Sequence, residues 1–432
     1  MKLLFSLSLA LFLITPLMAE QTPAEFAKVH GGAILQIGAP DSSLSGEMAK
    51  TGRYIVNVLG KDQRLIEKIR TELHQQNVYG VASAEHWQDF SHLPYTENLI
   101  NLIIVSGADA PLKELLRVTV PDGAVVFTGA KKPSAADLEK AGYVSIRESD
   151  ASAEKKWIVA RKPWPESMGH WTHSRHDSNG NAVSPDTEVG EPKRIRWIAA
   201  HSGKEVEGMV SDDGRNFYGQ ALARDSFNGL RLWHRDLSQP EEKMDPITFT
   251  MKPLHREQAR PVATENFLFA VAFPTKNLVA IDSVTGEIVR SFPEIENPGE
   301  LVQRKGLVVA TGASGVYAFN SQTGFLEWKN ESSSPRTLVA GDDRVSYVQG
   351  EPRRGENAEA VTVDLYTGEV IWRNNSFPWL AKVKRSVMFG DQISYEVSSF
   401  NDFDNETGIH VVNAENGELS WEKKYSPGMN HA

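Results

Sequence analysis

Five copies of one phrase occupy the C-terminal half of this chain, at residues 223–233, 280–290, 318–328, 362–372 and 411–421. Each copy sets Asp or Asn four residues before a Gly: Asp225 and Gly229, Asp282 and Gly286, Asn320 and Gly324, Asp364 and Gly368, Asn413 and Gly417. Four copies end in Trp four residues after that Gly (Trp233, Trp328, Trp372 and Trp421), and the second ends in Arg290. An Asx side chain bonds backbone two residues on and opens a turn. Gly then closes the turn, because it accepts positive φ without a Cβ clash. The flanks are short β-type runs, such as 278–281 and 369–372, so each copy reads as one tight hairpin.

The Gly-to-Gly spacings are 57, 38, 44 and 49 residues, with a mean of 47. That is the length of a four-stranded propeller blade, roughly 40–50 residues. Further strand pairs lie between the copies, at 306–311 and 344–348, and the charged, Gly-containing stretch 349–358 reads as a loop at a blade edge. One bulky indole per repeat is expected to pack on the neighbouring blade and donate its N–H to a backbone carbonyl. The fold expected for residues 191–432 is therefore an all-β propeller. The phrase resembles the tryptophan-docking repeat of quinoprotein-like propellers, a group with pyrroloquinoline quinone (PQQ) dehydrogenases and outer-membrane assembly lipoproteins among its members. The resemblance covers roughly residues 190–432 and speaks to fold more than to activity.

Composition narrows the setting. Residues 1–19 read as a signal peptide: Met1 and Lys2, an apolar run from Leu3 to Leu17, and a small-residue cleavage site ending at Ala19. No later segment is a transmembrane candidate. The expected location is the periplasm or cell surface. The chain has no Cys, which excludes disulfides, thiol catalysis and Cys-ligated zinc. Its net charge of −10 argues against nucleic acid as a partner.

Residues 20–161 follow a different pattern. Apolar strand-like runs at 33–38, 54–59, 98–105 and 124–128 alternate with helical patterns at 63–74 and 111–117. This is βαβ logic, a parallel Rossmann-like sheet covered by helices, finished by a hairpin from 144–147 and 156–160. The stretches 93–105 and 114–126 resemble the fourth-strand and fifth-strand regions of class I S-adenosylmethionine (SAM) methyltransferases. That resemblance implies a cofactor pocket at Gly38, Asp41, Gly60 and Asp62. The sequence departs from the family there: residues 38–43 keep one Gly and add Pro40, which removes an N–H donor. The acidic ribose ligand at the end of the second strand is replaced by Gly60, with Asp62 two residues late. The expectation is a vestigial pocket with no cofactor.

Between the halves, residues 162–190 form a linker and docking segment that starts with the stiff Lys162-Pro-Trp-Pro-Glu166. It carries His170, His173, His176 and Asp177, residue types that can ligate a metal, alongside the competing reading of a loop that seats one domain on the other. Residues 177–181 offer oxygen ligands of the kind Ca²⁺ takes but lack EF-hand spacing. The words at 171–173, 176–177, 180–183 and 189–192 resemble large secreted bacterial proteins that join a methyltransferase-like domain to a PQQ-like propeller; Arg196 and Trp197 would begin the first blade.

Three functions follow from these readings. The first is a non-catalytic exported scaffold that binds a protein or glycan partner in the cell envelope. The second is a PQQ- and Ca²⁺-dependent dehydrogenase of alcohols or sugars, with acidic pairs such as Asp212–Asp213 and Asp342–Asp343 as candidate ligands; the vicinal disulfide of many such enzymes is absent. The third is methyl transfer. Related propellers close with eight blades, whereas five to six are legible here, so pairing of residues 194–199 with the last blade would mark a closed ring.

Overall fold

The computed structural model describes residues 21–38, 41–129, 132–149, 157–191, 195–199, 209–219, 222–235, 260–272, 275–350, 358–397 and 407–425. Residues 1–19, read above as a signal peptide, Pro40 and most of the 349–358 stretch lie outside these. Among the described residues no helix is long and apolar enough to cross a membrane.

The N-terminal unit runs α1 (Pro23–Ala27), β1 (Gly32–Gly38), α2 (Ser42–Lys50), β2 (Tyr54–Gly60), α3 (Gln63–Gln75), β3 (Ala82–His86), β4 (Ile100–Ser106), α4 (Leu112–Val118), β5 (Thr119–Thr128), α5 (Ala135–Ala141), β6 (Val144–Glu148) and β7 (Ile158–Arg161). Its seven strands form one sheet in the order β3-β2-β1-β4-β5-β7-β6. The first five strands are parallel, and β7 inserts antiparallel to both β5 and β6. Both faces of the sheet are buried, which explains the continuous apolar runs. Ile34, Val56, Val58, Leu102 and Ile104 pack beneath α2 and α3, while Leu35, Ile37, Ile103, Val105 and Val125 pack with Leu115 of α4 and Leu138 of α5. This is the Rossmann-type, methyltransferase-like sheet expected from the sequence. The short helices α1, α2 and α5 and the strand β3 carried weaker patterns and were not legible beforehand.

Among the described residues the C-terminal unit comprises five four-stranded antiparallel sheets. Blade one holds β8 (Met209–Asp212), β9 (Arg215–Tyr218), β10 (Leu222–Asp225) and β11 (Arg231–His234). Blade two holds β12 (Val262–Ala263), β13 (Phe267–Val271), β14 (Leu278–Asp282) and β15 (Ile288–Phe292). Blade three holds β16 (Leu301–Arg304), β17 (Leu307–Gly312), β18 (Gly315–Asn320) and β19 (Leu326–Glu331). Blade four holds β20 (Arg336–Ala340), β21 (Arg344–Gln349), β22 (Glu359–Asp364) and β23 (Val370–Asn374). Blade five holds β24 (Val383–Phe389), β25 (Gln392–Val397), β26 (Gly408–Asn413) and β27 (Leu419–Lys424).

The repeated phrase builds the turn between the third and fourth strands of each blade. In every copy the Asx oxygen accepts two backbone N–H groups, for example Asp364 from Tyr366 at 2.9 Å and from Thr367 at 2.8 Å. All five repeat glycines have φ between 71° and 79°, a conformation other residues rarely adopt. The indole of one blade then lies flat on the glycine of the next. Trp233 covers Gly286, Trp328 covers Gly368 and Trp372 covers Gly417, with each ring so close that a Cβ on the glycine would meet it within 3 Å. Their N–H groups donate to Ser283, Leu365 and Ala414 carbonyls at 3.0, 2.8 and 2.8 Å.

Two deviations refine the sequence reading. Arg290 takes the place of Trp in the second copy: its side chain covers Gly324 and donates to Ser321 and Gln322 carbonyls at 3.4 and 2.6 Å. Trp421, expected to dock like its counterparts, is 47% exposed, because no following blade covers it among the described residues. At the other end, Trp197 covers Gly229 and donates to Ser226 at 3.1 Å. Residues 195–199 join no sheet and are not paired with blade five. The described blades therefore form an arc whose two ends do not meet through this device.

Blade one also fastens the two units together. Asn101, on β4, donates to Asp225 at 2.7 Å and accepts from Asn228 at 2.8 Å and from the Ala33 amide at 2.8 Å. This contact is at the N-terminal ends of the sheet strands, opposite the loops that follow β1 and β2.

Candidate functional site: the propeller axis

The junction segment threads the axis of the arc and bonds the innermost strand of every blade. Trp171 and Ser211 of β8 exchange backbone bonds at 2.9 and 2.8 Å. The Thr172 carbonyl accepts from Ala263 of β12 at 2.9 Å. His173 Nε2 accepts from the Gln303 amide of β16 at 2.9 Å. Ser178 accepts from Ala340 of β20 at 2.9 Å through its carbonyl, and its hydroxyl donates back at 3.0 Å. The Asn179 carbonyl accepts from Met388 of β24 at 2.8 Å. Gly180 passes so near blade five that a Cβ would stand 2.6 Å from the Ser386 carbonyl. The inner strands of a propeller leave amides facing the axis, and this segment satisfies one in each of the five blades.

The candidate metal ligands do not converge. His170 pairs with Asp212 at 2.8 Å, which raises its pKa, and stacks on Trp164 at 5.3 Å. His173 is fully enclosed; burial lowers its pKa to about 4, so the ring is neutral and acts as an acceptor. His176 meets the edge of Trp171 at 5.4 Å, and Asp177 pairs with Arg304 at 3.3 Å. Among the described residues no group of three or more His, Asp or Glu is placed to hold a metal ion. Of the readings weighed for this segment, the geometry is that of a docking strand, seated on the blades rather than on the sheet domain. Sequence reasoning missed the axial path, because its bonds run mostly through backbone atoms that leave no residue signature.

What space remains at the axis is small. A cavity of about 100 Å³ is lined by residues of this segment and of β12, β16, β20 and β24, including Arg260, Glu300, Thr337 and Ser386. Small-molecule sites are roughly 300–1,000 Å³. Its carboxylates are Asp177 and Glu300, and Glu300 is occupied by the Thr337 and Leu338 amides at 3.0 and 2.5 Å. No Phe, Tyr or Trp lines it. Of the acidic pairs, Asp212 ends β8 and pairs with His170 at 2.8 Å, and the other three pair with arginines: Asp213 with Arg215 at 2.6 Å, Asp342 with Arg304 at 2.5 Å, Asp343 with Arg344 at 2.8 Å. Among the described residues this cavity brings together neither an aromatic floor nor a free pair of carboxylates.

The four methyltransferase positions make local contacts. Asp41 caps α2 by accepting from Ser43 at 2.9 Å, and Asp62 caps α3 by accepting from Arg64 at 2.9 Å and Leu65 at 3.3 Å. Gly38 is pressed against β4, where a Cβ would stand 2.2 Å from the Ser106 carbonyl. Gly60 admits Ile66 of α3, whose Cδ1 would lie 3.0 Å from a Cβ. All four residues serve local packing and capping.

Comparison with known proteins finds likenesses to both parts of the chain. Residues 170–330 and 294–374 match the family model described as outer membrane protein assembly factor BamB. The structure of BamB from Moraxella catarrhalis is similar at 16% identity and TM-score 0.36, covering 54% of this chain and 64% of that one. This chain thus spans less than two thirds of that protein. A quinohemoprotein alcohol dehydrogenase from Pseudomonas putida is similar at 16% identity and TM-score 0.31, over 40% of this chain and 34% of that one. A putative SAM-dependent methyltransferase from Methanococcus maripaludis is similar at 16% identity and TM-score 0.29, over 33% and 83%. No curated protein matches the chain. The chain joins a seven-stranded Rossmann-type sheet to five described four-stranded blades, and the part that matches the BamB family model spans residues 170–374.

Proposed function

We propose that this protein is a non-catalytic propeller scaffold of the bacterial cell envelope that binds a protein or glycan partner. The observation that carries the reading is the occupied axis. The place where a propeller of this class would hold a redox cofactor is filled by residues 171–180, bonded to all five blades. Filling the axis turns a cofactor funnel into a rigid core and leaves the outer rims as the available surface. The signal-like residues 1–19 support export, and the matching family's description supports a protein partner over a small substrate.

Calorimetric titration of the purified protein with PQQ plus Ca²⁺, and separately with SAM, tests the reading, together with a dye-linked alcohol and aldose oxidation assay. The expected result is no binding heat and no dye reduction, with retention of an envelope protein or glycan on the immobilised chain. Saturable PQQ binding accompanied by substrate oxidation would overturn it.

A further inference from the structure

The docking device has one unmatched element at each end of the arc. Among the described residues there are six docking side chains: Trp197, Trp233, Arg290, Trp328, Trp372 and Trp421. Five of them cover the turns ending at Gly229, Gly286, Gly324, Gly368 and Gly417. Trp421 covers none.

A sixth Asx turn precedes Trp197. Asp186 stands four residues before Gly190, and its Oδ1 accepts from the Glu188 and Val189 amides at 2.8 and 2.9 Å. These two side-chain bonds recur in the five repeat turns, where Asp225, for instance, accepts from Phe227 and Asn228 at 2.8 and 2.9 Å; the repeat turns add a bond from the Gly amide to the Asx carbonyl that Gly190 does not make. The sequence disguises the copy, because Trp197 follows Gly190 by seven residues instead of four. Among the described residues nothing stands within 4 Å of where a Gly190 Cβ would be, so none of them covers this turn. Gly190 also lies outside the left-handed region that the five covered glycines share, and seating an indole there requires that adjustment.

We propose that Trp421 of one molecule seats on the Asp186–Gly190 turn of a second copy, joining arcs head to tail. The direction is right: within the chain each docking side chain covers the turn of the next blade, and Trp421 to Gly190 is the next step of that order. Exposed apolar side chains occur at both ends, Leu419 and Tyr425 on the strand of Trp421 and its extension, and Val189 within the free turn. In the Trp contacts the indole donates to the carbonyl one residue after the Asx, so the acceptor in the second copy is Thr187. Such a contact is heterologous, using two different patches, and yields either a ring of copies or a filament. The inference is independent of the scaffold reading; a monomeric protein would sink this proposal and leave that one standing.

Sedimentation velocity across a concentration series of the exported protein tests it. The expected result is reversible association that Trp421→Ala and Asp186→Ala each abolish, with Trp421→Ala retaining the fold because its side chain is exposed. The chain has no Cys, so single substitutions Glu188→Cys and Lys423→Cys mark the two patches. A short bismaleimide is expected to join these two variants when mixed, and to fail when Trp421→Ala is added to the second. Three results would overturn the proposal: a monomer at every concentration, association that Trp421→Ala leaves intact, or linkage within a dilute chain carrying both cysteines.

Discussion

Asn101 of the sheet domain donates its amide to the Asp225 carboxylate of blade one at 2.7 Å, and both side chains are buried. Asp225 is the Asx residue of its repeat turn, so one carboxylate shapes the turn and also latches the two domains. Burial raises its pKa, against the opposing pull of the Asn101 and backbone hydrogen bonds. A carboxyl with a raised folded pKa contributes stability that is complete below its unfolded value and lost as pH rises through the folded one. Asp225→Asn is expected to remove that decline from a pH series of urea midpoints. Asp225→Ala strands the Asn101 amide and costs about 1–3 kcal/mol.

His173 works in the opposite sense. Its folded pKa, lowered to about 4 by burial, lies below the ordinary 6.5. The unfolded chain therefore binds the proton first, and the stability contributed by the neutral ring is present above 6.5 and lost as pH falls to 4. The axial segment is expected to loosen in that window, on the order of 3 kcal/mol at about 1.4 kcal/mol per pH unit. Hydrogen exchange at the Gln303 amide, which donates to this ring, is the readout. Exchange at Gln303 that does not change between neutral pH and pH 4 would contradict the assignment.

Asp62 separates a capping role from a cofactor role. Asp62→Ala is expected to destabilise α3 by about 1 kcal/mol, the usual value of a lost N-cap. Calorimetry is expected to show no SAM binding before or after the change. SAM affinity that disappears with the substitution would restore the ribose-ligand reading.

Much of this was legible because the repeat encodes its own geometry. Asx, Gly and Trp at fixed offsets report a turn, a positive φ and a close approach, and each of those is visible in residue type. Arg290 was harder to read, since a guanidinium can cover a glycine and bond two carbonyls without resembling an indole. The Asp186 turn was hidden by the longer spacing to Trp197. Trp421 was misjudged for a different reason. Its own repeat is complete, and its exposure depends on a neighbouring blade, which no local pattern specifies. The axial course of residues 171–180 left almost no trace in side chains, so its histidines left a metal site and a docking loop both open.

Arg290 also makes a graded prediction. Its contacts are polar and half exposed, so Arg290→Ala is expected to cost about 1–2 kcal/mol, near the value of ordinary hydrogen bonds. Arg290→Trp is expected to restore the indole device, with a denaturation midpoint at or above that of the parent protein.

The most direct test of the blade-to-blade fastening compares three alanine substitutions by urea denaturation at a concentration where copies are separate. Trp328 and Trp372 are 7% and 8% exposed, whereas Trp421 is 47% exposed. Replacing either of the first two is expected to cost about 3–5 kcal/mol, the range for a large buried aromatic. Replacing Trp421 is expected to change stability by less than about 0.5 kcal/mol, as for an ordinary surface site. Equal losses at all three positions, or none at Trp328 and Trp372, would contradict it.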